Sequence, residues 1–135
     1  MKKILVLFVL TSLCAITFIS CSTSVDNGIT FKNLASGDIH INFRATLTTV
    51  RAGEEVMLSG LPKGSYEYNT TYELPAGITS STADENVSGQ VDIKAGTKIL
   101  IVYSSVIEGD IYKLFATKTS SDDLNDEGTP NPVGP

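Results

Sequence analysis

The run KILIVYSSVI, residues 98–107, decides the fold. Ile99, Ile101, Val102, Tyr103, Val106 and Ile107 are β-branched or aromatic, types that fit a pleated, half-buried surface. KAGT and IEGD bound the run with Gly96 and Gly109, and glycine takes the positive φ that tight strand connections need. Such a dense apolar run predicts a central strand with both faces covered.

Working outward, the same chemistry recurs in shorter pieces. ITFKN (29–33), DIHINF (38–43), TLTTV (46–50), EEVMLS (54–59), SYEYNTTYEL (65–74), NVSGQVDI (86–93) and DIYKLFATK (110–118) alternate or are rich in strand formers, TLTTV being either a second strand or a continuation of 38–43, since Ala45, Leu47 and Thr49 keep the same parity. Ile39, Ile41 and Phe43 share one face of their strand, and His40, Asn42 and Arg44 the other. Gly37 and Gly53 punctuate the gaps, as do LPKGS and LPAGI with Pro62, Gly64, Pro75 and Gly77. No stretch after residue 28 shows a capped helix of 3.6 period. The expected fold is all-β: a small antiparallel β-sandwich of about seven to eight strands over residues 29–118. A small barrel satisfies the same periodicity.

Across EEVMLSGLPKGSYEY the chain resembles the small prealbumin-like and carboxypeptidase-regulatory sandwich domains. The likeness rests on a strand followed by Leu61-Pro62, Gly64 and Tyr66, and covers roughly residues 50–74. It implies that Leu61 anchors the core and that Tyr66 opens the next strand. Such modules are mostly non-catalytic accessories.

The amino terminus carries an address. Lys2 and Lys3 precede an apolar core at residues 4–13, followed by small residues, which is the pattern of a secretory signal over residues 1–20. The run is shorter than the ~20 apolar residues a spanning helix needs, and Thr11, Ser12 and Thr17 interrupt it. Cleavage after Ser22 would suit an ordinary signal peptidase. The segment Phe18-Ile19-Ser20-Cys21 resembles the bacterial lipobox, with Phe18 in place of the usual leucine. Cys14 would then leave with the signal and Cys21 would become the first, lipidated residue. Residues 21–28 follow as a polar linker. The lipoprotein resemblance implies acyl chains on Cys21, each buried CH₂ adding about 0.8 kcal/mol of membrane affinity. With Ser22 rather than aspartate following, it also implies an outer-membrane destination in the bacterial cell envelope.

Charge narrows the partners. Loss of Lys2 and Lys3 with the signal takes the formal charge from −5 to −7, which argues against nucleic acid. The tail TSSDDLNDEGTPNPVGP, residues 119–135, is rich in acids, proline and glycine and holds too little apolar surface to offset ordering, so disorder is expected there.

Candidate chemistry is sparse. A serine–histidine–aspartate triad would have to use His40, the only histidine, which sits on the polar face of a strand. Glu67 and Glu73 lie six residues apart on one strand, about 20 Å, too far for paired-carboxylate glycoside hydrolysis. DDLNDEG (122–128) fails as an EF-hand because its twelfth position falls on Gly134. Asp84, Glu85 and Asp92 form a weak acidic cluster. Tyr66, Tyr68 and Tyr72 share one parity, so they are either core or a stacking platform for sugar rings. No catalytic residue, metal site or cofactor is expected. The expected role is a non-catalytic envelope module, structural or protein-binding. The alternative is a glycan- or ligand-binding module using the loops or the tyrosine face.

Overall fold

A computed structural model describes residues 26–124. The signal segment, Cys21, the first part of the linker and residues 125–135 lie outside them. The described chain is all-β and runs β1 (Gly28–Asn33), β2 (Ile39–Phe43), β3 (Thr46–Val50), β4 (Glu55–Ser59), β5 (Gly64–Tyr72), β6 (Ser80–Ala83), β7 (Gly89–Ile93), β8 (Lys98–Glu108) and β9 (Ile111–Ser120). A short 3₁₀ turn, Ser121–Leu124, follows. No helix among the described residues is long and apolar enough to cross a membrane.

Two sheets face one another as a small sandwich. One has the order β4-β1-β8-β9-β6 and the other β3-β2-β5-β7. The chain changes sheet after β1, β3, β4, β5, β6 and β7, so strands distant in sequence become neighbours. Two pairs are parallel, β1 with β8 and β6 with β9, and the rest are antiparallel. The fold class is thus as the sequence predicts, with nine strands and two parallel pairings added.

Alternation fills the space between the sheets. Ile29 and Phe31 of β1, Ile39, Ile41 and Phe43 of β2, and Ile99, Ile101 and Tyr103 of β8 all point inward and are buried. Leu61 joins this core from the loop before β5. Phe31 meets Phe43 edge-on at 6.1 Å, joining the sheets through their rings.

Strand β8 corrects one expectation. It is central in its sheet, but only one of its faces is covered. Leu100 and Val106 stand exposed on the outer face with Phe115 of β9 and Met57 of β4. In a two-layer sandwich every strand has a solvent side, so the continuous apolar run reflects an apolar outer face rather than a third layer.

The ends also differ from expectation. β9 runs through Ser120, past the boundary expected at residue 118. Residues 121–124 cap the sheet: Ser121 Oγ accepts the Lys98 N–H at 2.9 Å, and Asp122 accepts the Thr97 hydroxyl at 2.8 Å. At the other end Asn27, read as linker, is 1% exposed. Its side chain donates to Leu61 O at 3.0 Å and accepts the Gly96 N–H at 2.6 Å, tying the chain entry to two turns.

Candidate functional site

Among the described residues, the β2–β3 hairpin is the one place where positive φ falls on residues other than glycine. Phe43 pairs with Thr46, which leaves Arg44 and Ala45 as a two-residue loop. Both have left-handed backbones, φ 53° and 59°. Positive φ at both positions is the type I′ turn, whose favoured residues are Asn-Gly. A residue with a Cβ pays about 1–2 kcal/mol in that conformation. Strain kept at a surface tip is a pointer to a functional position. The Arg44 guanidinium lies 5.5 Å from the centre of the Tyr66 ring, and the Tyr66 hydroxyl donates to Pro62 O at 2.7 Å. The hairpin tip is thereby held against the loop that contributes Leu61.

Two open grooves meet at this tip. The first, about 490 Å³, is the seam between β3 and β4, the edge strands of the two sheets on one side. Phe43, Leu58 and Leu61 form its apolar wall, with Thr46 and Thr48 along β3 and Arg44 at the hairpin end. Among the described residues its lining holds a guanidinium and no carboxylate. Among the described residues Arg44 makes no ion pair. The second groove, about 440 Å³, lies on the outer side of the same hairpin, between Asn42, Arg44, Ala45 and the start of β5 with Tyr66, Glu67 and Asn69.

The edge of β3 bears on what can bind there. A type I′ hairpin closes with a hydrogen-bonded pair at Phe43 and Thr46, and bonded pairs then alternate along the ladder. Thr46, Thr48 and Val50 therefore spend their backbone groups on β2. Leu47 and Thr49 turn theirs outward, away from the sheet. No charge, proline or glycine interrupts Thr46–Val50, although edges are commonly blunted by such residues. The other edges are less open to pairing: β4 begins at Glu55, β7 carries Asp92, and β6 has only four residues.

The three tyrosines part company. Tyr68 is 1% exposed, sits in the core and donates its hydroxyl to Asn86 O at 2.8 Å. Tyr72 is half-buried against the Tyr112 ring at 5.7 Å and donates to Ser81 Oγ at 3.0 Å. Tyr66 lines the outer groove, under Arg44. With its middle ring inside the core, this strand face is not an open platform.

His40 makes a contact that the sequence did not suggest. Its Nδ1 lies 2.9 Å from Thr49 Oγ1 and its Nε2 lies 3.3 Å from Glu73 Oε1. A hydroxyl, an imidazole and a carboxylate thus line up across β3, β2 and the end of β5. The array lies on the outer face of the sheet, where Thr49 and Glu73 are exposed, and it lines neither groove. Asp92 accepts the Ser65 hydroxyl at 2.6 Å, so one of the three acids noted in the sequence serves a cross-strand bond. Among the described residues no group of three or more histidine, cysteine or carboxylate side chains is placed to hold a metal ion.

Sequence reasoning missed the tip itself. FRAT carries no glycine, asparagine or proline, so it shows no turn signature. The available signal was a break in parity: Ile39, Ile41 and Phe43 are odd-numbered, whereas the next buried β-branched residue, Val50, is even-numbered, so two residues must intervene as a turn. No protein-family model matches the chain, and no curated protein matches it as a relative.

Proposed function

We propose that this chain is an exported β-sandwich, held to the bacterial envelope through a lipid on Cys21, which acts there as a non-catalytic protein-interaction module. The single observation that carries the interaction role is the uncharged edge of β3, unpaired among the described residues, beside an open apolar seam. Soluble proteins guard such edges against chance pairing, so an unguarded one is a surface that expects a partner. The anchor is supported by the lipobox-like segment, by the polar stretch after Cys21, and by Asp26 and Asn27, where the chain enters at one pole of the sandwich. The prealbumin-like reading is supported by Leu61 in the core and by Tyr66 near the start of β5.

The test is the intact mass and membrane partition of the protein from its host, beside Cys21→Ala. The expected result is a mature mass that begins at Cys21 with acyl chains added, and a variant that stays uncleaved or turns soluble. Unchanged mass and partition in the variant would end the anchor reading.

A second reading, glycan binding, rests on the outer groove, where Tyr66 is flanked by Asn42, Glu67 and Asn69. The amide and carboxylate groups of Asn42, Asn69 and Glu67 suit the hydroxyls of a sugar, with the Tyr66 ring beneath Arg44 at one side. Titration with envelope polysaccharide fragments tests it: perturbation of Tyr66 and Asn69 would favour it, and no perturbation would remove it.

A further inference from the structure

We propose that the edge of β3 docks an extended segment of a partner protein: one that pairs with Leu47 and Thr49, lays apolar side chains into the seam over Phe43, Leu58 and Leu61, and brings a carboxylate to Arg44. The inference rests on the interaction reading above and says what kind of partner that reading requires.

The backbone groups of Leu47 and Thr49 point outward, by the ladder alternation that the hairpin sets. Only a segment in extended conformation meets two such residues at once. The neighbouring seam is floored by side chains of the core, with Phe43 and Leu61 nearly buried and Leu58 packed against them. A strand added to β3 projects every second side chain toward this floor. Those positions are therefore apolar, and small enough for a groove of about 490 Å³.

Charge then selects one end. The seam has a guanidinium at its hairpin end and, among the described residues, no carboxylate in its lining. The Tyr66 ring beneath Arg44 and the closed hairpin hold that guanidinium in place. Antiparallel pairing, the more stable of the two directions, puts the carboxyl-terminal end of the incoming strand beside Arg44. The segment thus reads apolar at alternate positions and finishes on an acid.

A second copy of this chain is the competing occupant, and the observations disfavour it. Antiparallel pairing of β3 with its own copy would send Thr46, Thr48 and Val50 toward the seam, two threonines to one valine. Threonine is a poor filler for a wall of Phe43, Leu58 and Leu61. Self-pairing also brings β3 strands that carry no carboxylate for Arg44.

The test uses the protein purified from the cells that make it and the probe acetyl-Val-Thr-Val-Thr-Val-Thr-Asp-amide. Binding is expected, with protection of the Leu47 and Thr49 amides from exchange. Two N-methylated probes separate strand pairing from apolar filling: one methylated at valine amides, one at threonine amides. The threonine-methylated probe should lose binding and the valine-methylated probe keep it, because the residues opposite Leu47 and Thr49 share their outward face while the valines face the seam. Leu47→Pro removes an outward N–H that makes no bond to β2, a position where proline is tolerated on an edge. It should weaken binding at least tenfold. Arg44→Gln keeps the fold and should weaken the aspartate probe several-fold while leaving a probe that ends in asparagine unchanged. No binding, equal loss with both methylated probes, or indifference to both substitutions would overturn the proposal.

A photo-crosslinking amino acid in place of Leu47, and another in place of Gln90 on β7, distinguishes this failure from that of the interaction reading. A Leu47 adduct that the probe displaces supports the proposal. Adducts at Gln90 alone would sink the β3 edge and leave the interaction reading standing. A self-adduct at Leu47 would install the second copy instead. No adduct at either position would count against both.

Discussion

The hydroxyls of Thr70 and Tyr103 meet at 2.9 Å, one reaching from each sheet across the space between them. Burial pushes the Tyr103 phenol well above its ordinary value of 10.0; the Thr70 bond draws it partly back, and the nearby Tyr68 phenol pushes it further up. Burial raises Tyr68 as well. Above pH ~10 the unfolded chain therefore holds fewer protons than the folded one, so stability falls as pH rises and is fully present below that point. Each phenol adds a slope of up to about 1.4 kcal/mol per pH unit. Urea unfolding at about pH 8 and about pH 11 checks this, with the wild type expected to lose more on the alkaline side than Tyr103→Phe. A flat profile for the wild type would sink it.

Asn33 does at the far end of β1 what Asn27 does at the near end. Its Nδ2 donates to Gly37 O and Val50 O, both at 2.9 Å, and its Oδ1 accepts the Ala35 N–H at 2.9 Å. The side chain is wholly buried. Asn33→Ala leaves Gly37 O and the Ala35 N–H without their side-chain partner, each costing about 1–3 kcal/mol when buried, and takes from Val50 O the second of its two donors. The expected loss is about 3 kcal/mol or more by urea unfolding, and Asn33→Asp is worse at neutral pH, because carboxylate oxygens would face the two carbonyls. A loss below about 1 kcal/mol would mean that the turn closes without this residue.

Period-two alternation is a local property, and it made eight of the nine strands legible to within a few residues. β6 escaped because SSTA is exposed throughout and shows no apolar beat. The pairing of β1 with β8 is not local: Ile29 and Ile99 become neighbours only through the whole path between them. For the same reason Thr46–Val50 could be read as a strand but not as an open edge, since an edge is defined by what fails to lie beside it. Asn27 hid within a polar stretch because its role depends on Leu61 and Gly96, both far along the chain. Of the candidate site, Tyr66 was legible by parity, while Arg44 and its strained partner were not.

The hairpin strain has its own measurable consequence. Ala45 holds φ 59° with a Cβ, a conformation that disfavours it by about 1–2 kcal/mol. Glycine removes that cost and gives back about 0.5–1 kcal/mol through its freer unfolded chain. Ala45→Gly should therefore stabilise the protein by about 0.5–1 kcal/mol, and Ala45→Val should destabilise it. Thermal melts with the Arg44 side chain untouched decide the matter. A lower melting temperature for Ala45→Gly would show that the turn is relaxed.

Adjacent residues of β8 settle whether its two faces differ in energy as they do in exposure. Ile101 is 0% exposed, between Phe31 on β1 and Lys118 on β9, whereas Leu100 is 39% exposed on the outer face. Truncating a buried isoleucine loses both its transfer energy and the packing around it, so Ile101→Ala should cost about 2–5 kcal/mol. Leu100→Ala leaves no enclosed cavity and should cost about 1 kcal/mol or less. Paired urea titrations of the two variants measure the difference directly. Equal, large losses would mean that the outer face is covered in the folded protein, which is what the uninterrupted run KILIVYSSVI predicts when read alone.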